Sequence, residues 1–181
     1  FRRVLFRSEV MRAHGWRAQS EVTLVGRCVS HEVDVLAEKD GKRVGIEAKF
    51  HNDPGGKTDV KDALYVKARY DDLKMAPTQS ARVDEGWLVT NTRFTQNAIR
   101  YARCSNLTLL GWDYPRTRGL LSLIAEKGVH PVTCLTTLSE GEKKRLLENK
   151  IVLCKNIATP HALQDFGVKP DARCTCEDAH P

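Results

Sequence analysis

The 181-residue chain contains no apolar run near the length of about 18 residues that a bilayer-spanning helix requires, so no membrane crossing is expected. It shows no secretory leader, which makes the cytoplasm the expected compartment. Its six cysteines (Cys28, Cys104, Cys134, Cys154, Cys174 and Cys176) are scattered without the regular spacing of a disulfide framework. In a cytoplasmic chain they read as free thiols. The terminal Cys174-Thr-Cys176, with His180 nearby, lacks the second cysteine pair of a structural zinc module, and residues 171–181 read as a flexible tail. Internal repeats and low-complexity tracts are also missing.

A one-signed charge is nearly missing as well. The formal net charge is +6, but residues 1–8, Phe-Arg-Arg-Val-Leu-Phe-Arg-Ser, hold three arginines and no acid. This octapeptide looks like the translation of a common sequencing adapter, and such a scar belongs outside fold reasoning. Without it the chain carries only +3 against the +6 of the whole. Charge alone therefore does not select nucleic acid as the partner. On this reading the natural chain continues upstream of Glu9.

What is present is an alternation of periods. Residues 9–14 suit the end of a helix that Gly15 stops, and residues 16–29 read as extended. Two β-branched runs, 33–37 and 44–50, flank Lys39-Asp-Gly-Lys42, a strong hairpin signal. Between Thr58, taken as an N-cap, and Lys74, apolar residues at Val60, Ala63, Leu64, Ala68 and Leu73 predict a helix. Residues 86–90 and 107–111 read as buried strands around a helix over 95–104. The order implies an α/β domain over 9–124, with a mixed β-sheet flanked by helices. Beyond it come a linker at 125–137 and a small α-helical segment at 138–170. That segment opens with Ser139 and Glu142 in capping-box spacing and has a second helix at 160–166.

One cluster could carry chemistry. Glu47 and Lys49 are two apart on a strand and project from one face, while Asp34 on the preceding strand can reach Glu47 across the hairpin. Two carboxylates and an ammonium then meet at one point. Hard cations such as Mg²⁺ (or Mn²⁺) take such oxygen donors and leave room for water and phosphate. The backbone carbonyl of Ala48 could add a further ligand. Charges at period two more often mark a hairpin's solvated face, but Val33, Val35, Ile46, Ala48 and Phe50 suit a buried strand, where charges are seldom placed without reason.

His31-Glu-Val-Asp-Val-Leu-Ala37 followed by Val44-Gly-Ile-Glu-Ala-Lys49 resembles the core of the PD-(D/E)xK nuclease superfamily. Together with Leu88-Val-Thr-Asn-Thr-Arg-Phe-Thr95, the helix at Asn97-Ala98 and the strand closing at 107–113, it resembles the Mrr-like restriction endonucleases over residues 9–124. The resemblance implies a restriction-endonuclease-like core and a metal-dependent DNA endonuclease, of restriction (type IV-like) or repair type. Asp34 and Glu47 would then be metal ligands and Lys49 the third catalytic residue. Many Mrr-like members carry Gln where this chain has Glu47. Relatives with an extra acid on the first helix make Glu9 an accessory candidate, and Glu32 shares strand parity with Asp34. Asn91, at a strand end, could support the site. Lys57, Lys61 and Arg93 are candidates for gripping DNA phosphates, as are Lys67, Arg69, Arg100 and Arg103. Residues 138–168 resemble a helix-hairpin-helix module, with Asn149-Lys150 where its glycine is expected. Cutting both strands would favour a homodimer, and similar nucleases carry an N-terminal ATP-cone domain. The contrasting expectation is a module with the nuclease fold that binds DNA, or regulates, without cutting.

Overall fold

The computed structural model describes residues 2–53 and 55–157. Helix α1 (Arg2–Ala13) leads through Gly15, at φ +82°, into strand β1 (Arg17–Val25). Strands β2 (Ser30–Lys39) and β3 (Lys42–Lys49) form the expected hairpin. Asp40 and Gly41 both adopt positive φ, 51° and 77°, as the tight turn between right-twisted strands demands. After a short strand β4 (Lys57–Thr58), helix α2 (Val60–Lys74) crosses back to β5 (Glu85–Thr90), which runs parallel to β3. Strand β6 (Arg93–Phe94) pairs only with β4, and α3 (Gln96–Ser105) returns the chain to β7 (Thr108–Leu110).

The main sheet has the order β1-β2-β3-β5-β7, antiparallel in its first half and parallel in its second. Helices cover both faces. On one, Ala63, Val66, Tyr70 and Leu73 of α2 and Ala98 and Ala102 of α3 bury against Val33, Leu36 and Leu88. On the other, Val10 and Met11 of α1 and Leu120 and Ile124 of α4 (Leu120–Lys127) pack on Val35, Val44, Ile46 and Val89. No helix among the described residues is long and apolar enough to cross a membrane.

Several local expectations are corrected. The N-cap of α2 is Asp59, whose carboxylate accepts from the N–H groups of Lys61 and Asp62; Thr58 is buried in β4 instead. The buried stripe of α2 runs 63, 66, 70, 73, which leaves Leu64 and Ala68 exposed. The octapeptide does not stay outside the fold. Helix α1 begins at Arg2, and Arg7 and Ser8 are buried, because nothing in residues 2–8 breaks a helix whose next turn is anchored by Val10 and Met11. Nor are residues 125–137 a bare linker. Val129 joins the core beneath α4, and Val132 and Leu135 form a further cluster with Leu146 of α5 (Glu140–Glu148), Cys154 and Ile157. The capping box of Ser139 and Glu142 that opens α5 forms as expected. Past α5, Lys150 takes a positive φ of 61°, Leu153 bridges to Pro131, and a 3-10 turn follows at Cys154–Ile157. The expected helix at 160–166 and the Cys174-Cys176 tail lie outside the described residues.

Candidate active site

The last residues paired between β2 and β3 are Val35 and Ile46. One step further the Asp34 side chain takes over from the ladder, its carboxylate accepting the Ala48 N–H at 2.7 Å. Opposed residues of an antiparallel pair share a face, so Asp34 and Glu47 come together, and the charge of each bears on the other. Glu47 and Lys49 both turn toward α2. The Glu47 carboxylate is paired with the Arg69 guanidinium, and Lys49 Nζ stands 3.3 Å from Asp62 Oδ1. Of the sequence-predicted set, Asp34, Glu47 and Lys49 therefore gather on the side of the sheet that α2 covers. Glu47 and Lys49 lie at the carboxyl end of β3, whose partner β5 is parallel, and Asp34 of the antiparallel β2 stands beside them; open α/β sheets hold their ligands at such strand ends.

Burial dominates the electrostatics. The Glu47 side chain is 12% exposed. Desolvation, reinforced by the neighbouring Asp34 charge, raises its pKa above the ordinary carboxylate value even though Arg69 and Lys49 act to lower it. The loss of hydration thus outweighs the two nearby cations at Glu47. Beside it lies Tyr70, 3% exposed, whose hydroxyl has no hydrogen-bond partner among the described residues. Burial first, then the Glu47 charge, push its pKa upward, so the phenol keeps its proton.

The remaining candidates separate. The Glu9 carboxylate pairs with Arg12 on its own helix, 2.5 Å away. Glu32 is exposed and offers the site only its backbone carbonyl, which accepts from Arg69 Nη1 at 2.9 Å. Asn91 clamps the chain after β3, accepting the His51 N–H and donating to the His51 carbonyl, both at 2.9 Å. The His51 ring in turn meets Thr58 Oγ1 at 3.0 Å, within a buried hydroxyl chain through Thr90 and Thr92. Lys57 and Arg93 are direct cross-strand partners in the β4/β6 pair, two exposed cations side by side, and Lys61 is exposed on the first turn of α2. Arg69 is not a surface cation, since its side chain is only 13% exposed.

Sequence reasoning overlooked Asp62 and Tyr70 and misplaced Arg69. Asp62, Tyr65 and Arg69 follow helical spacing on one face of α2, a charged stripe beside the apolar one. Gly45 and Gly86 were the available signal for Tyr70, because a glycine inside a strand often marks close approach by another group. The two are cross-strand neighbours.

Among the described residues, no three His, Cys, Asp or Glu side chains form a ready-made metal cage. A small hard cation does not need one, since one or two carboxylates suffice when water and substrate phosphate complete its shell. Asp34 and Glu47 supply those carboxylates. The Ala48 carbonyl leaves β3 on the same side as the N–H bound to Asp34. The buried Tyr70 hydroxyl beside Glu47, without a partner among the described residues, agrees with such a donor set.

Comparison with known proteins shows the family. Residues 4–114 match the family model of the Mrr catalytic domain, described as restriction endonuclease, and residues 130–172 match that of the AF1548-like C-terminal domain. An uncharacterized protein of Archaeoglobus fulgidus is 34% identical over 163 residues, covering 89% of this chain and 90% of its own length. The crystal structure of a protein of unknown function, AF1548, superposes with a TM-score of 0.76 at 32% identity, over 92% of this chain and 90% of that one.

Proposed function

This chain belongs to the Mrr-type restriction endonuclease family, and from that premise we propose that it is a metal-dependent DNA endonuclease. The observation that carries the proposal is the meeting of Asp34, Glu47 and Lys49 on the α2 side of the sheet, beside the carboxyl end of β3. Asp34 and Glu47, with the Ala48 carbonyl, would hold Mg²⁺ or Mn²⁺. When bound, such a cation makes a coordinated water more acidic and offsets negative charge building on the phosphoryl oxygens.

The chain's own groups do the rest. Lys49, kept at the site by Asp62, directs its N–H donors at the attacking water and the phosphate oxygens. The water oxygen bonds to phosphorus as the bond to the departing sugar oxygen breaks; the water gives up a proton to solvent and the sugar oxygen takes one from it. Asn91 fixes the backbone just beyond Lys49 through its two hydrogen bonds to His51, which hold the end of β3 in register. Lys57, Arg93 and Lys61 lie on the exposed rim where β4, β6 and α2 begin, placed to meet the phosphate backbone without reading sequence. The biological setting that fits is cleavage of foreign DNA, of the type IV restriction kind, or DNA repair.

Plasmid incubated with the purified protein should be nicked with Mg²⁺ and left intact with EDTA. Asp34→Ala, Glu47→Ala and Lys49→Ala should each lower the rate by at least about a hundredfold while the circular dichroism spectrum stays that of the wild type. Undiminished cutting by any of these variants overturns the site. Retention of DNA by the wild-type protein without metal-dependent cutting would mark a non-cleaving binding module.

A further inference from the structure

We propose that Arg69 is a resident counter-cation of the carboxylate site, one that a divalent cation must displace from Glu47 in order to bind. The inference rests on the metal-dependent reading above and adds to it a built-in competitor that sets how much metal the site needs.

The geometry carries it in three steps. First, the guanidinium occupies Glu47. Its Nη1 is bonded to Glu47 Oε2, and both side chains are nearly buried, at 13% and 12% exposure. That bond takes up Oε2, and a guanidinium charge held against the carboxylate opposes a dication at either of its oxygens. Second, Arg69 is held there by groups other than Glu47. Nη1 also donates to the Glu32 carbonyl at 2.9 Å, Nη2 donates to the Tyr65 hydroxyl at 2.8 Å, and the guanidinium lies 4.9 Å from the centre of the Tyr65 ring. These contacts tether the cation at the mouth of the site whether or not Glu47 holds it, so release from Glu47 needs no unfolding of α2. Third, the pairing is incomplete. Arg69 Nε is buried without a partner among the described residues, a cost that the Glu47 bond must offset. A guanidinium with all its donors satisfied would be a structural bolt, whereas this one has a replaceable bond to a single carboxylate.

The electrostatic consequence has a definite sign. Removing one positive charge beside Glu47 strengthens the pull on an incoming dication and abolishes the competing bond. It also leaves a nearly buried carboxylate unpaired in the metal-free protein, which should lower metal-free stability. A merely structural arginine would behave differently, because its loss would disorder the ligands and weaken stability and metal affinity together.

Mn²⁺ binding, followed by electron paramagnetic resonance at mildly alkaline pH, tests this with Arg69→Met and Arg69→Lys. Arg69→Met should bind Mn²⁺ roughly tenfold more tightly than wild type, about 1.4 kcal/mol, while its metal-free form melts at a lower temperature. Arg69→Lys, which keeps a charge but loses the planar fork, should fall between the two. Unchanged or weaker Mn²⁺ binding by a folded Arg69→Met variant overturns the proposal and leaves the nuclease reading standing. Absence of Mn²⁺ binding by the wild-type protein at millimolar concentration overturns both. A second measurement needs no variant. The side-chain N–H resonances of Arg69 should move when Mg²⁺ is added to the wild-type protein, and resonances that stay fixed while Mg²⁺ binds refute the displacement.

Discussion

The placement of α2 over the site depends on two glycines, and Gly45→Ala tests that dependence. The Tyr70 ring lies in a shallow trough formed by Gly45 of β3 and Gly86 of β5, which pair side by side. A Cβ at position 45 would stand 2.1 Å from Tyr70 Cε1 and 2.9 Å from Cζ; at position 86 it would stand 2.2 Å from Cδ2 and 2.6 Å from Cγ. Two effects oppose each other. Alanine in a strand interior gains roughly 0.5–1 kcal/mol over glycine in backbone entropy. Forcing a methyl into a closed core costs about 1–3 kcal/mol, and overlap this deep belongs at the upper end. We expect a net loss of about 2 kcal/mol, read as a lower urea midpoint with an unchanged slope. Because Asp62 lies on the same helix, pushing Tyr70 off the sheet should also draw Asp62 away from Lys49 and reduce cleavage. The mechanism can be isolated in a Tyr70→Leu background. Leucine lacks the ε and ζ carbons that meet position 45 and keeps only a δ carbon, which in tyrosine stands 3.0 Å away, so most of the cost of Gly45→Ala should disappear there. It keeps the β and γ carbons that meet position 86, so Gly86→Ala should remain costly. Equal costs for Gly45→Ala in both backgrounds would refute the trough argument.

Two further outcomes follow from named contacts. Tyr70→Phe removes a buried hydroxyl that has no partner among the described residues, and it should raise stability by about 1 kcal/mol, a gain of roughly 2–4 °C in melting temperature; a fall of that size would show that the hydroxyl is bound. Asp72 fastens the β1–β2 turn to α2 by accepting from His31 Nε2 and the Cys28 N–H, both at 2.8 Å, and from the Val29 N–H. The His31 bond first, then those to Cys28, lower its pKa from 3.8 to about 2. A depressed carboxylate pKa stabilises the fold above the unfolded value, and that contribution is lost as pH falls from 3.8 toward about 2. Asp72→Asn should flatten acid unfolding across that window, and an unchanged acid limb would show that the latch contributes nothing.

Much of the fold was legible because its signals are local. Asp40-Gly41 between β-branched runs leaves few alternatives to a tight hairpin, and the buried runs at 86–90 and 107–111 are where β5 and β7 lie. The strand half of the candidate site was legible for the same reason: side-chain parity and antiparallel pairing alone bring Asp34, Glu47 and Lys49 to one face. What stayed hidden was set across long sequence distances. Arg69 reads as one more surface cation until α2 is laid on the sheet, and nothing near position 70 announces that Tyr70 fits over glycines at 45 and 86. Asp59 displaced Thr58 as the cap of α2 because Thr58 was already committed to a buried hydroxyl chain with Thr90, a tertiary demand that local propensity does not contain. The apparent linker failed similarly. Val129, Val132 and Leu135 acquire their apolar partners only when residues 146–157 fold back on them.

The helix that sequence reasoning undervalued decides what the strand residues can do. Among the described residues Asp34, Glu47 and Asp62 meet Lys49 and Arg69, and this cluster of five groups carries one excess negative charge. In that state it repels a phosphodiester, which also carries one negative charge. Loading with a divalent cation turns the excess to one positive charge, opposite to the substrate. On the proposed reading, phosphate attraction is therefore conditional on the metal, and α2 creates the condition. Asp62 offsets Lys49, which would otherwise draw phosphate by itself, and Arg69 offsets Glu47, which would otherwise lie buried with its charge unpaired. A strand pair bearing the same three signature residues without this helix would hold the ligands but not the discrimination between loaded and empty states.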